Sequence, residues 1–134
     1  MKFPIVIQDS QIPKYLSIFI NIWAITIWPF IICKGKMGEV TLNHEKIHIR
    51  QQAELLVIGF YPLYAYYWLK ARLWHRMSSH EAYMAIPFER EAYKMEEDQN
   101  YLENRLRFAW CLWKPKKMIL LQSTILESMM GLSH

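Results

Sequence analysis

The stretch from Tyr15 to Cys33 most restricts what this chain can fold into. It contains no charged residue, and Ile18, Ile20, Ile22, Ile25, Ile27, Ile31 and Ile32 make it densely β-branched. Its length is about that of a transmembrane helix, with Trp23 and Trp28 placed for an interface. Lys14 on one side and Lys34 and Lys36 on the other give it no orienting charge bias. The β-branching favours a buried strand over residues 24–33, with Pro29 on an edge or at a bulge. Lys34-Gly35-Lys36-Met37-Gly38 then predicts a turn, and Glu39 to Leu42 a short return strand.

Beyond it the pattern turns helical. Asn43 is a favoured N-cap residue, and helical periodicity runs from His44 to about Trp74. Pro62 is expected to kink that helix or split it. Leu55 to Leu69 carries no charge and is followed by Lys70, Arg72 and Arg76, which suits a buried helix or one resting in a bilayer interface. Met77 to Ile86 predicts a loop or short helix. Pro87 suits the first position of a new helix, and Glu89 and Glu91 suit its first turn. That helix is expected to reach about Trp113 and to end at Lys114-Pro115-Lys116-Lys117. Met118 to His134 has helical character without strong caps. The expected fold is mainly α with a small β element, an α+β class, in one domain over residues 1–134.

Composition narrows the function classes. A chain of 134 residues with 53% hydrophobic and 15% aromatic content can bury a core of its own. The formal charge of +4 suits an anionic membrane surface or a nucleic acid equally. No nucleic-acid motif accompanies the basic residues, which fit snorkelling beside aromatic helices instead, so nucleic acid is not an expected partner. Cys33 and Cys111 form no C-x-x-C pair and are expected to be buried, inert thiols. At the N-terminus, Gln8, Asp9 and Ser10 break the apolar run Phe3 to Ile7, and no small-residue cleavage site follows. This does not suit a cleaved signal peptide, so a membrane-associated or cytoplasmic protein is expected.

The chemistry concentrates at His44-Glu45-Lys46-Ile47-His48. On a helix, residues four apart share a face, so both imidazoles can reach one zinc ion. Glu45 lies about 100° around the helix and can flank a bound water without coordinating the metal. Zinc lowers the pKa of such a water, and a carboxylate can take its proton as it attacks a carbonyl. Gln51, Leu55 and Ile58 continue the histidine face from ligand toward apolar core. Glu54 lies about 80° off that face and is not expected to join the ion. A third ligand is sought in the second helix, where Glu89 is preferred, with Glu91 and His80 as competitors. Glu96 shares a face with Glu89 and either orients a ligand histidine or is simply a solvated acid. His80, Tyr83 and Tyr93 are candidates for stabilising the transition state.

His44-Glu45-x-x-His48, followed by Glu89-x-x-Ala92, resembles the gluzincin pattern of zinc peptidases. In form it is nearest the membrane-associated CAAX-protease and HtpX-like group, which shows Glu-x-x-Ala-Asp. Asn43 to Gln52 and Phe88 to Tyr93 also resemble a set of small uncharacterised bacterial proteins, over roughly residues 25–110. The resemblance implies a zinc site of His44, His48 and Glu89, Glu45 as general base, and a peptide or protein substrate. Tyr93 stands where those peptidases have Asp, so the carboxylate that orients a ligand histidine is missing or comes from elsewhere. The alternative is a non-catalytic, membrane-associated protein whose zinc is structural.

Overall fold

The computed structural model describes residues 4–16, 23–113 and 130–131. The fold is mainly α with one small sheet. The elements are β1 (Ile5–Ile7), α1 (Ile12–Leu16), β2 (Ala24–Ile27), β3 (Phe30–Cys33), α2 (Glu39–Glu54) and α3 (Phe60–Leu69). A π-helical turn (Lys70–Trp74) extends α3, and α4 (Ser79–Ala85), α5 (Pro87–Met95), α6 (Tyr101–Asn104) and a 3-10 turn (Ala109–Trp113) follow.

The isoleucine-rich segment forms a hairpin rather than one strand. β2 and β3 pair antiparallel with Ile27 opposite Phe30, so Trp28 and Pro29 make the two-residue connection. β1 adds in parallel to the far side of β3, with Val6 opposite Ile31. The sheet order is therefore β1-β3-β2, and β2 is an edge. Ile31, Ile32 and Cys33 are buried in the central strand. Residues 17–22 of the possible span lie outside the described residues, as does all but residues 130–131 of the helical tail expected over 118–134. No helix among the described residues is long and apolar enough to cross a membrane.

Residues 39–42, expected as a return strand, are the first turn of α2. Gly38 is extended just before it, and the acid Glu39 suits the positive end of the helix dipole. Asn43 is thus an interior helical residue and not an N-cap. It does cap a helix, but a different one: its Nδ2 donates to the carbonyls of Glu96 (2.8 Å) and Asp98 (3.0 Å) at the end of α5. That contact marks where α5 stops, well short of Trp113.

The long helix expected to Trp74 breaks before Pro62. Leu56 and Val57 adopt left-handed backbone, φ 54° and 62°, a strained choice for a β-branched residue. Gly59 is required at the turn, because a Cβ there would sit 2.8 Å from the Leu55 carbonyl oxygen. Pro62 then falls in the first turn of α3, where its missing N–H costs nothing. Residues 77–86 resolve into α4, started by a reciprocal Ser78–Glu81 capping box. Ile86 is extended, as a residue before proline prefers, and Pro87 opens α5 as expected.

Phe60, Tyr67, Ile86, Phe88 and Trp110 form the buried core cluster between α3, α5 and the 3-10 turn. Cys33 is buried, but Cys111 is exposed, contrary to expectation, because only Ala109 and Trp110 of its turn face the core.

Candidate metal centre

α2 presents His44 and His48 on its buried side, and α5 packs across it with Glu89 in the first turn. Their exposures are 6%, 6% and 4%. The two Nε2 atoms are 3.1 Å apart, and each lies 3.4 Å from Glu89 Oε2. Ligand atoms about 2.0–2.1 Å from a tetrahedral ion stand about 3.3–3.4 Å apart. The three atoms thus already have nearly the spacing of one face of a zinc tetrahedron.

The far nitrogens are equally informative. His44 Nδ1 is 2.8 Å from Glu96 Oε2. An ionised carboxylate only accepts, so Nδ1 donates and Nε2 keeps its lone pair. His48 Nδ1 is 2.8 Å from Gln51 Oε1. The Gln51 amide is oriented by its Nε2, which donates to the Phe88 carbonyl (3.1 Å) and to Glu91 Oε2 (3.0 Å). His48 is therefore also fixed with its proton on Nδ1. Both imidazoles thus turn Nε2 toward the same point, the arrangement metal ligands adopt once that nitrogen is unprotonated.

Glu89 is held on both oxygens. Tyr64 donates to Oε1 (2.8 Å) and Tyr83 to Oε2 (2.9 Å). Burial and the Glu89 charge raise both phenol pKa values, so the hydroxyls stay protonated donors. Without a metal the cluster must neutralise itself. Burial disfavours charge on His48, but the carboxylates of Glu89 and Glu45 and the Gln51 contact outweigh it, and its pKa rises to about 9. Burial likewise opposes a charged Glu89, but the two imidazoles hold its pKa well below the usual carboxylate range.

Glu45 is buried beside the cluster and points toward the sheet, where Thr26 Oγ1 of β2 donates to its Oε2. Two turns on, the Gln52 amide clamps the same strand. Its Nε2 donates to the Thr26 carbonyl (2.7 Å), and its Oε1 accepts from the Trp28 amide (2.8 Å).

Among the described residues, His44, His48 and Glu89 are the group of ligand type that converges on one point. Neither competitor joins them. His80 is exposed in the first turn of α4. Glu91 is fully buried but faces the opposite way, paired with Arg105 and accepting from Tyr101. Glu54 stays outside the cluster, as expected, and also pairs with Arg105. Glu96 is half-buried and bonded to His44 Nδ1 rather than standing as a solvated acid. Tyr93 packs its ring edge-on to His44 at 4.6 Å, with its hydroxyl 3.2 Å from that of Tyr83.

Sequence reasoning missed Tyr64 and Thr26, and treated Gln51 as mere core. Gln51 had a local signal, since it stands three residues from His48 on the same face. Tyr64 had none, being one aromatic in an aromatic run. No protein-family model matches the chain, and no curated protein or solved structure is recognisably similar to it.

Proposed function

We propose that the chain is a zinc-dependent peptidase with Glu45 as its general base. The observation that carries this reading is the three-ligand convergence of His44, His48 and Glu89, with both histidine Nδ1 atoms tied to acceptors. A structural zinc is usually closed by four protein ligands, whereas a catalytic one keeps a position open. Among the described residues three ligands converge, which favours the open kind. Zinc held there would acidify water and polarise a carbonyl.

The remaining work falls to the chain's own groups. Thr26 holds the Glu45 carboxylate in place. Glu45 accepts a proton as water adds to the peptide carbonyl carbon, then returns it to the amine nitrogen when the C–N bond breaks. The single Tyr83 proton is given to Glu89, so Tyr93, whose hydroxyl lies 3.2 Å from that of Tyr83, is the phenol left to donate to the carbonyl oxygen, while His80 is exposed on α4.

A non-catalytic zinc site is the second reading, and one observation favours it. In the zinc peptidases the edge strand beside the motif helix holds the substrate, yet here Gln52 occupies that edge at Thr26 and Trp28.

The deciding experiment compares Glu45→Gln with His48→Ala. Glu45→Gln is expected to keep zinc content and melting temperature while losing roughly 10²–10⁴-fold in hydrolysis of a mixed-peptide digest followed by mass spectrometry. His48→Ala is expected to lose zinc and activity together. A parent protein that binds zinc tightly and cleaves nothing would leave the structural reading standing.

A further inference from the structure

α3 and its π-helical extension break the usual rule for a surface helix. The buried side is apolar, with Phe60, Tyr67 and Ala71 in the interior. The outer side is apolar as well. Pro62, Tyr66, Leu69 and Leu73 recur at helical spacing and are all exposed, Leu73 by 77%, with Trp74 next to it at 68%. A helix that is apolar all round is normally covered on every side. The preceding turn adds Leu56 and Ile58, each 83% exposed.

The charges around this face identify what covers it. Residues 55–80 contain Lys70, Arg72 and Arg76 and no acidic residue, although the whole chain carries 12. Lys70 Nζ lies 5.8 Å from the Tyr66 ring centroid, and the Arg72 guanidinium lies 5.9 Å from that of Trp68. Arg72 also donates to the Met77 carbonyl. Two of the three cations thus sit over aromatic rings of this helix. Aliphatic tips in the middle, aromatic rings beside them and cations at the margin match the layers of an anionic bilayer surface, from acyl boundary to phosphate. A protein partner would be expected to meet some acid–base complementarity of both signs.

We infer that the exposed face of residues 60–76 is a membrane-docking surface, laid flat on anionic lipid with Leu69, Leu73 and Trp74 inserted and Lys70, Arg72 and Arg76 at the headgroups. This inference is independent of the metal reading. It uses none of the ligand residues and does not require a spanning segment.

The test is flotation of the whole protein with vesicles. Phosphatidylcholine vesicles containing roughly 30% phosphatidylserine should carry the protein up the gradient, and pure phosphatidylcholine vesicles should carry far less. Leu73→Glu, at a site already exposed to solvent, should reduce binding at least about tenfold while the far-ultraviolet spectrum and melting temperature stay unchanged. Arg76→Gln should reduce it about fivefold, the equivalent of one interfacial cation, and added salt should do the same. If Leu73→Glu perturbs folding, Leu73→Ser provides the same reading more mildly. Binding to neither vesicle, or equal binding by parent and Leu73→Glu, would overturn the inference. So would self-association that Leu73→Glu abolishes in a protein that ignores vesicles, since the face would then belong to a second copy.

Discussion

Glu89 and Glu91 stand two residues apart on α5, both buried against α2, and their surroundings differ in one respect. Glu91 meets a permanent cation. Arg105 spans it and Glu54, and Tyr101 and Gln51 complete its hydrogen bonds. Glu89 meets two imidazoles and two phenols, none of which is obliged to be charged. A buried carboxylate without a countercharge is strongly disfavoured. The fold thus supplies the positive charge at one carboxylate and leaves it to be imported at the other, as a proton on His48 or as a metal ion. The comparison separates a carboxylate with a permanent countercharge from one whose countercharge depends on protonation.

The largest effect should come from removing the built-in cation. Arg105→Met leaves Glu54 and Glu91 buried without their partner and is expected to cost about 3–5 kcal/mol in chemical denaturation. Zinc should not restore that loss, because the vacancy lies on the wrong side of Gln51. Restoration by zinc would collapse the distinction between the two regions.

The pH dependence of metal-free protein comes next. The folded pKa of His48, about 9, is raised above its ordinary value of 6.5. Its stabilisation is therefore complete below about 6.5 and is lost as pH rises through 9. The lowered value of Glu89 works from the other side, giving stability above the ordinary carboxylate range that disappears in strong acid. Between pH 6.5 and 9 the metal-free protein should lose up to about 3 kcal/mol, measured by denaturant midpoints. Saturating zinc should flatten that slope, since the ion replaces the proton. An unchanged slope with zinc bound would mean that the metal sits elsewhere.

The smallest effect should be found at the hinge between the regions. Gln51 accepts from His48 and donates to Glu91. Gln51→Met removes the acceptor that fixes the imidazole and should weaken zinc binding about 10–100-fold by competition with a chelator. Its effect on stability should be well below that of Arg105→Met.

What could be read from the sequence was what depends on neighbours along the chain. Two histidines four apart share a helix face whatever surrounds them, and Pro87 with Glu89 marks a helix start by local rules. The mainly helical fold with a small sheet followed from the same periodicities. What escaped depends on contacts across the chain. The Asn43 side chain reaches carbonyls 53 and 55 residues away, so its capping preference was visible but its helix was not. Glu96 reaches His44 across 52 residues, and no spacing rule distinguishes it from the acids beside it. The extent of α5 was overread for a similar reason. Its end is set by Asn43 from α2, and Lys114-Pro115 comes far too late to mark it.

The Gln52 amide has one more consequence. By offering a donor and an acceptor at the spacing of a neighbouring chain, it acts as a single rung of a fourth strand. An open sheet edge invites foreign chains to pair with it and grow into aggregates. Here the edge of β2 carries a removable latch, one that shares a helix with His48 and Glu45. Any extended chain that annexed this stretch of the sheet would have to lift that latch first, so its arrival would be felt as a tug on the helix holding the candidate metal ligands.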